Sequence, residues 1–222
     1  DDGSTDGSLE LLKSMELSPN ITLIESKHKG KAFALNKGLE KVKTDYVITV
    51  DSDTILHPLA VRNIMNKLVN SNKKTAATAG CLFVKNAKKS FITKLQEWDY
   101  TLGIFGVKLV QDNYNSTLVA QGAFSAYKTK MLREIGGWQN CVGEDIVLTW
   151  QLLSKGYETN FAKKAIAFTE VPEKFKNLGK QRKRWARGMI EAFKKGKIFK
   201  SNKLNIKSKF LMFLNIFFPF ID

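Results

Sequence analysis

The sequence predicts an α/β protein built on a doubly wound sheet with helices on both faces. Two observations carry the prediction. Helix-spaced and strand-like segments alternate through the first 84 residues. The apolar, β-rich run at 46–50 ends directly on an acidic triplet, and open α/β sheets bind ligands beyond the carboxyl ends of their strands. A length of 222 residues with 43% hydrophobic composition suits one sizeable domain rather than a disordered chain.

Each element follows from its pattern. Residues 6–17 are helix-like, with Ser4 or Asp6 as cap candidates. Residues 21–25 read as a strand. Phe33, Leu35, Leu39 and Val42 give 31–42 near-helical spacing. Residues 57–69 are helical again, with Pro58 suited to a first turn, and 75–84 read as a strand. The second half is less regular. Residues 90–110 read as a long helix and 118–127 as extended. A short helix over 129–135 ends at Gly136-Gly137, and a helix over 144–155 ends at Gly156. Two strands are expected at 157–161 and 165–169, then a long basic helix over 173–195.

Thirty-six Lys and Arg against 21 Asp and Glu leave a net charge of +15, which implies an anionic partner: nucleic acid, anionic lipid or a phosphate-bearing substrate. The basic residues crowd the stretch from Lys174 to Lys209. They are not interleaved with an aromatic stacking platform, so nucleic acid is not the expected partner. Cys81 and Cys141 form no CxxC or Cys/His cluster, which removes a zinc signature, and two reduced thiols fit a reducing compartment. The chain opens directly on an Asp-rich loop and closes on the apolar run FLMFLNIFFPFI at 210–221. That run is shorter than the ~20 residues a spanning helix needs. We expect a piece of a longer protein that enters a membrane after Asp222; a buried C-terminal helix is the other reading.

Five places can carry chemistry. Asp51-Ser52-Asp53 follows a buried strand. Carboxylates two apart on extended backbone point the same way and suit a hard divalent cation shared with phosphate, although such triplets also serve as caps. DDGSTDGS at 1–8 is either a turn with a helix cap or a nucleotide loop. His28-Lys29-Gly30-Lys31 precedes a helix, where N–H groups and lysines suit phosphate. Gly143-Glu144-Asp145 opens a helix, so its carboxylates either complement the helix dipole or include a general base. QRKRW at 181–185 lies in the basic helix, whose Phe175, Leu178, Trp185, Met189 and Phe193 can form one face, as in a helix lying on a membrane or an ordinary packed helix.

Taken in order, DDGSTDGS, KGKAFALNKGL at 29–39, DSD at 51–53, QGAFSAY at 121–127, GEDIVLTWQLLSKGY at 143–157 and QRKRW resemble family 2 glycosyltransferases, specifically their processive membrane-bound branch. The spacing is most similar to the hyaluronan, chitin and poly-N-acetylglucosamine synthases. The resemblance covers nearly the whole chain, and the QxxRW motif after both acidic motifs is its most specific part. It implies a GT-A fold, with a Rossmann-like nucleotide-binding half over 1–84, an acceptor half over 85–195 ending in an amphipathic interface helix, and a basic juxtamembrane segment over 196–222. The family's first strand is missing.

The resemblance also implies roles. Asp1 contacts uracil. Lys31 and Asp51 lie on the donor nucleotide, and Asp53 ligates Mg2+ or Mn2+. Asp145 is the general base, with Glu144 on the acceptor side. Gln181, Arg184 and Trp185 close over the diphosphate and the acceptor sugar. The partners implied are a UDP-sugar, a glycan acceptor and, through the C-terminal segment, the cell membrane, with the catalytic domain on the cytosolic face, where lysine clusters favour it. A non-processive transferase adding one sugar to a lipid or protein, and an inactive donor-binding subunit, are the rival readings.

Overall fold

A computed structural model describes residues 1–195 and 201–215. Five strands form one mixed sheet: β1 (Tyr46–Val50), β2 (Ile55–Leu56), β3 (Thr75–Val84), β4 (Phe124–Lys128) and β5 (Glu158–Thr169), in the order β1-β4-β3-β5-β2. β3 pairs with β5 in parallel; the other pairings are antiparallel. Around the sheet lie α1 (Ser8–Ser14), α2 (Lys31–Lys41), α3 (Ala60–Val69), α4 (Phe91–Asp99), α5 (Val107–Asp112), α6 (Thr129–Glu134), α7 (Glu144–Ser154), α8 (Phe175–Lys195) and α9 (Ile206–Asn215).

Helices cover both faces, as the alternation predicts. On one face Ala60, Ile64 and Leu68 of α3 pack with Leu82, Phe124, Ala126 and Ala167. On the other, Ala32 and Leu39 of α2 and Leu148 and Leu152 of α7 pack with Ala77, Tyr127 and Trp138. A third cluster joins α7 to α8 and α9 through Ile146, Trp150, Leu153, Ala192 and Met212.

Four expectations need correction. Residues 21–25 form no strand. The Asp1 amino group donates to Ile24 O at 2.8 Å and Ser26 N donates to Asp1 O at 3.0 Å, too few rungs for a ladder. The two strands expected at 157–161 and 165–169 are halves of β5, broken where Phe161 faces Ala79 but Ile166 faces Cys81. The long helix expected over 90–110 contains a π-helical segment, Tyr100–Gly106, between α4 and α5. The extended stretch expected at 118–127 becomes strand only from Phe124. β2, two residues long, carries too little pattern to be read from sequence.

Helix α8 uses much of the apolar face seen in the sequence for internal packing: Trp185 lies against the first cluster and Met189 and Phe193 against the third, while Phe175 stays 75% exposed. Among the described residues no helix is long and apolar enough to cross a membrane. Of the apolar run at 210–221, residues 210–215 belong to α9, and the remainder lies outside the described residues.

Helices α7 and α8 meet at two glycines. A Cβ on Gly188 would stand 3.0 Å from both Gly143 Cα and Val142 O, and one on Gly143, whose φ is +80°, would stand 2.8 Å from Gly188 Cα. Ala in place of a mid-helix Gly ordinarily stabilises by about 1 kcal/mol. At Gly188 the sign should reverse, because backbone must move. We expect Gly188→Ala to lower stability by about 1–3 kcal/mol. Gly179→Ala, on the same helix with nothing within 4 Å of the added carbon, should be neutral or stabilising. Denaturant melts of the two variants make the comparison.

Candidate functional site

The site lies where β1 ends, β4 begins and α2 and α7 start. Asp51 N donates to Ala123 O at 3.1 Å, extending the β1–β4 ladder by one rung, and Thr54 N donates back to Asp51 O at 3.0 Å, turning the chain. This turn sets the Asp51 carboxylate at the strand end. Lys31, the first residue of α2, reaches across and donates to Asp51 Oδ1 at 2.5 Å, with Glu144 Oε1 3.7 Å from the same ammonium. Burial works against the Lys31 charge, but its hydrogen bond to Asp51 and the charges of Asp51, Glu144 and Asp145 outweigh burial and raise its pKa. Glu144 is pushed up by burial and by its neighbour Asp145.

Asp145 occupies the first turn of α7, where free N–H groups favour a carboxylate. Its Oδ1 accepts from Ile146 N at 2.8 Å and its Oδ2 from Gly122 N at 3.2 Å. The carboxylate is therefore oriented from two sides. Gly122 also leaves the room that Lys31 fills: a Cβ there would come within 2.7 Å of Lys31 Nζ. Lys31, Asp51, Glu144 and Asp145 are thus brought together from α2, the end of β1 and α7.

The other expected residues make contacts of their own, outside this group. Asp1 Oδ2 accepts from Gly3 N at 2.8 Å and from Ser4 N at 3.1 Å, closing its own loop. Asp2 latches that loop to the start of α2, accepting from Lys29 N at 3.0 Å and Gly30 N at 2.9 Å; these bonds, Lys29's first, hold its carboxyl below the usual range against partial burial. Asp53 is exposed, and the Thr54 hydroxyl donates to it at 3.2 Å. Among the described residues no three metal-ligating side chains converge. A hard cation held by Asp53, aided by Asp51, would take its remaining oxygen ligands from a diphosphate, and that sharing suits magnesium and manganese.

On α8, Gln181 Oε1 is buried and has no hydrogen-bond partner among the described residues. Arg184 is exposed, and the structure does not bring it against the carboxylates. Trp185 is half-buried and carries the Arg182 guanidinium 4.6 Å over its ring; Arg182 also pairs with Asp99. This Arg182 bridge is not legible in sequence, because Asp99 lies 83 residues away. Two further contacts tie α8 to the α7 start: the glycine crossing, and Val142 N donating to Glu191 Oε2 at 3.0 Å.

The chain thus sets a carboxylate and lysine group at the strand ends of a mixed sheet and crosses the first turn of α7 with a basic helix. Residues 2–188 match the model described as glycosyltransferase like family 2, and the chain belongs to that family. It is 30% identical over 189 residues to a poly-beta-1,6-N-acetyl-D-glucosamine synthase of Staphylococcus epidermidis, and 31% identical over 189 residues to that of Staphylococcus aureus strain COL. Each alignment covers 84% of this chain and 45% of the relative, so the chain spans about half the length of these curated relatives. The fold is similar to that of the mannosyltransferase PcManGT from Pyrobaculum calidifontis, solved with GDP-Man and Mn2+ (TM-score 0.73, 19% identity, 98% of this chain and 58% of that one). It is also similar to S. aureus TarS in complex with UDP-GlcNAc (TM-score 0.61, 16% identity, 99% and 62%).

A further charged group lies behind the site. Lys108 of α5 is 6% exposed and donates to Val119 O. Burial pushes its pKa down to about 7, with Asp145 and Cys81 acting the other way. Its value in the fold lies below its unfolded one. Between about pH 7 and pH 10 the unfolded chain therefore binds the extra proton, and stability rises with pH, by up to roughly 1 kcal/mol per pH unit. Lys108→Met should lack this rise, and urea melts of both proteins across the window measure the difference.

Proposed function

We propose that this chain transfers N-acetylglucosamine from a UDP-sugar to the end of a growing β-linked glycan, with inversion at the anomeric carbon. The observation that carries the reading is the oriented Asp145 carboxylate beside the Lys31, Asp51 and Glu144 group. The named activity of the synthases it resembles supports the choice of sugar and of a polymer product.

In this reading the donor diphosphate lies against the starts of α2 and the Asp51–Asp53 turn. Lys31 exchanges part of its ion pairing with carboxylates for the phosphate oxygens. Asp1 faces the uracil. Asp53 would hold a divalent cation, whose charge would offset that of the departing diphosphate. Gln181 and Arg184 bear on the diphosphate from α8, and Trp185, backed by Arg182, bears on the acceptor sugar with Glu144. Asp145 accepts the proton of the acceptor hydroxyl as its oxygen attacks C1 from the face opposite the diphosphate. The C1–O bond to the diphosphate breaks, UDP departs with that electron pair, and an α-linked donor gives a β-linked product. Residues 1–84 would serve the donor and 85–195 the acceptor, with the region after 195 placing the site at the cytosolic face of the membrane.

The test is incorporation from radiolabelled UDP-N-acetylglucosamine and UDP-glucose by the full-length protein in membranes, with product sized on a gel. Long polymer from UDP-N-acetylglucosamine alone is the expected result; products one sugar long would replace this reading with the single-addition one. Asp145→Asn should lower transfer at least ~100-fold while donor affinity stays within a few-fold, since a general base typically contributes 10²–10⁴-fold. Loss of donor binding as well would remove the base assignment. Chelation should abolish transfer and Mg2+ or Mn2+ restore it. In Asp53→Asn the metal needed for half-maximal donor binding should rise at least ~10-fold.

A further inference from the structure

Lys108 has no part in the scheme above, yet it is buried, and among the described residues no carboxylate lies within ion-pair distance of it. Burial of an ammonium without a paired carboxylate is costly, and such groups concentrate where they serve chemistry. Its partner, Val119 O, belongs to a stretch held at every residue from 118 to 122. Leu118 N donates to Gln111 Oε1 at 3.0 Å, and Gln111 lies three residues beyond Lys108 on α5. Ala120 N donates to Thr149 Oγ1 at 2.9 Å, and Ala120 O accepts from the Tyr127 hydroxyl at 3.1 Å. The Gln121 amide donates to Gly80 O at 2.7 Å. The stretch ends on Gly122 N, which donates to Asp145 Oδ2 at 3.2 Å. Helix α5 therefore grips one end of a rail whose other end orients the carboxylate.

We propose that Lys108 is a positioning residue for sugar transfer: through Val119 it fixes the 118–122 stretch that aims Asp145. This rests on Asp145 acting as the base. The groups that bear on the Lys108 charge are Asp145 from α7 and Cys81 from β3. Removing the amine should free Val119 O and loosen the stretch whose other end, Gly122 N, directs the Asp145 carboxylate.

Lys108→Met keeps the length of the side chain and removes the charge from an enclosed site. In the full-length protein in membranes, we expect it to fold with at least the wild-type resistance to heat at about pH 6, because loss of a buried unpaired charge does not cost stability. The KM for UDP-N-acetylglucosamine should stay within about 2-fold while kcat falls at least ~10-fold. Lys108→Arg, which can still donate to Val119 O, should recover part of the lost kcat. A kcat for Lys108→Met within about 2-fold of wild type would overturn the proposal. So would a loss of heat resistance that parallels the loss of kcat, which would assign Lys108 a purely structural role. Asp145→Asn in the same assay separates the two levels. If it retains transfer, the base assignment fails and this inference with it. If it abolishes transfer while Lys108→Met is unaffected, only the role of Lys108 fails.

Discussion

The site depends on one cation. Asp51, Glu144 and Asp145 come from the end of β1 and the start of α7, and three carboxylates gathered in a partly buried space repel one another. The Lys31 ammonium, 2.5 Å from Asp51 and 3.7 Å from Glu144, offsets that repulsion. Its position is set by backbone: Lys31 is the first residue of α2, and Asp2 fixes the preceding turn by accepting from Lys29 N and Gly30 N. Loss of the amine would leave buried charge uncompensated, which costs more than the net worth of the pair. In the proposed reading the same cation turns to the incoming diphosphate, whose oxygens replace those that the carboxylates now provide.

The second constraint is the crossing of α7 and α8 at Gly143 and Gly188. Gly143 is the residue before Glu144 and has a left-handed φ of +80°, so the helix start that carries Asp145 is also the point where the basic helix touches it. Helix α8, which carries QRKRW, is tied to the start of α7 by this contact, by Val142 to Glu191, and by the apolar cluster around Trp150 and Phe193. A shift of α8 on its apolar face would therefore move the first turn of α7.

Much of this was legible from the residues. β3 was predicted to the residue, and β1 too, because apolar runs bounded by polar turns have a single reading. The order of the acidic motifs and QxxRW pointed to the family before any contact was known. What escaped was non-local. The pairing of residues 21–25 depends on Asp1 rather than on their own pattern. The joining of two short strands into β5 depends on a break in register opposite Cys81. Lys108 was hidden inside a stretch read as helix, because nothing in its neighbours along the chain says that the lysine faces inward. Arg182 bridges Asp99 and the Trp185 ring, a contact that joins residues far apart along the chain.

Glu144 and Asp145 are adjacent carboxylates, and their surroundings divide the labour between them. Glu144 faces the Lys31 ammonium, and burial together with Asp145 raises its pKa, which in the proposed reading suits it to share a hydrogen bond with a sugar hydroxyl. Asp145 is held by Ile146 N and Gly122 N, donors that fix its direction. The base proposed here needs that fixed orientation and a lone pair left for the incoming proton. Two amide donors leave an ionised carboxylate with acceptor capacity to spare. Lys31 and Lys108 both interact electrostatically with Asp145 without either forming a close ion pair with it. A direct ion pair would occupy the lone pairs that the proposed proton transfer needs.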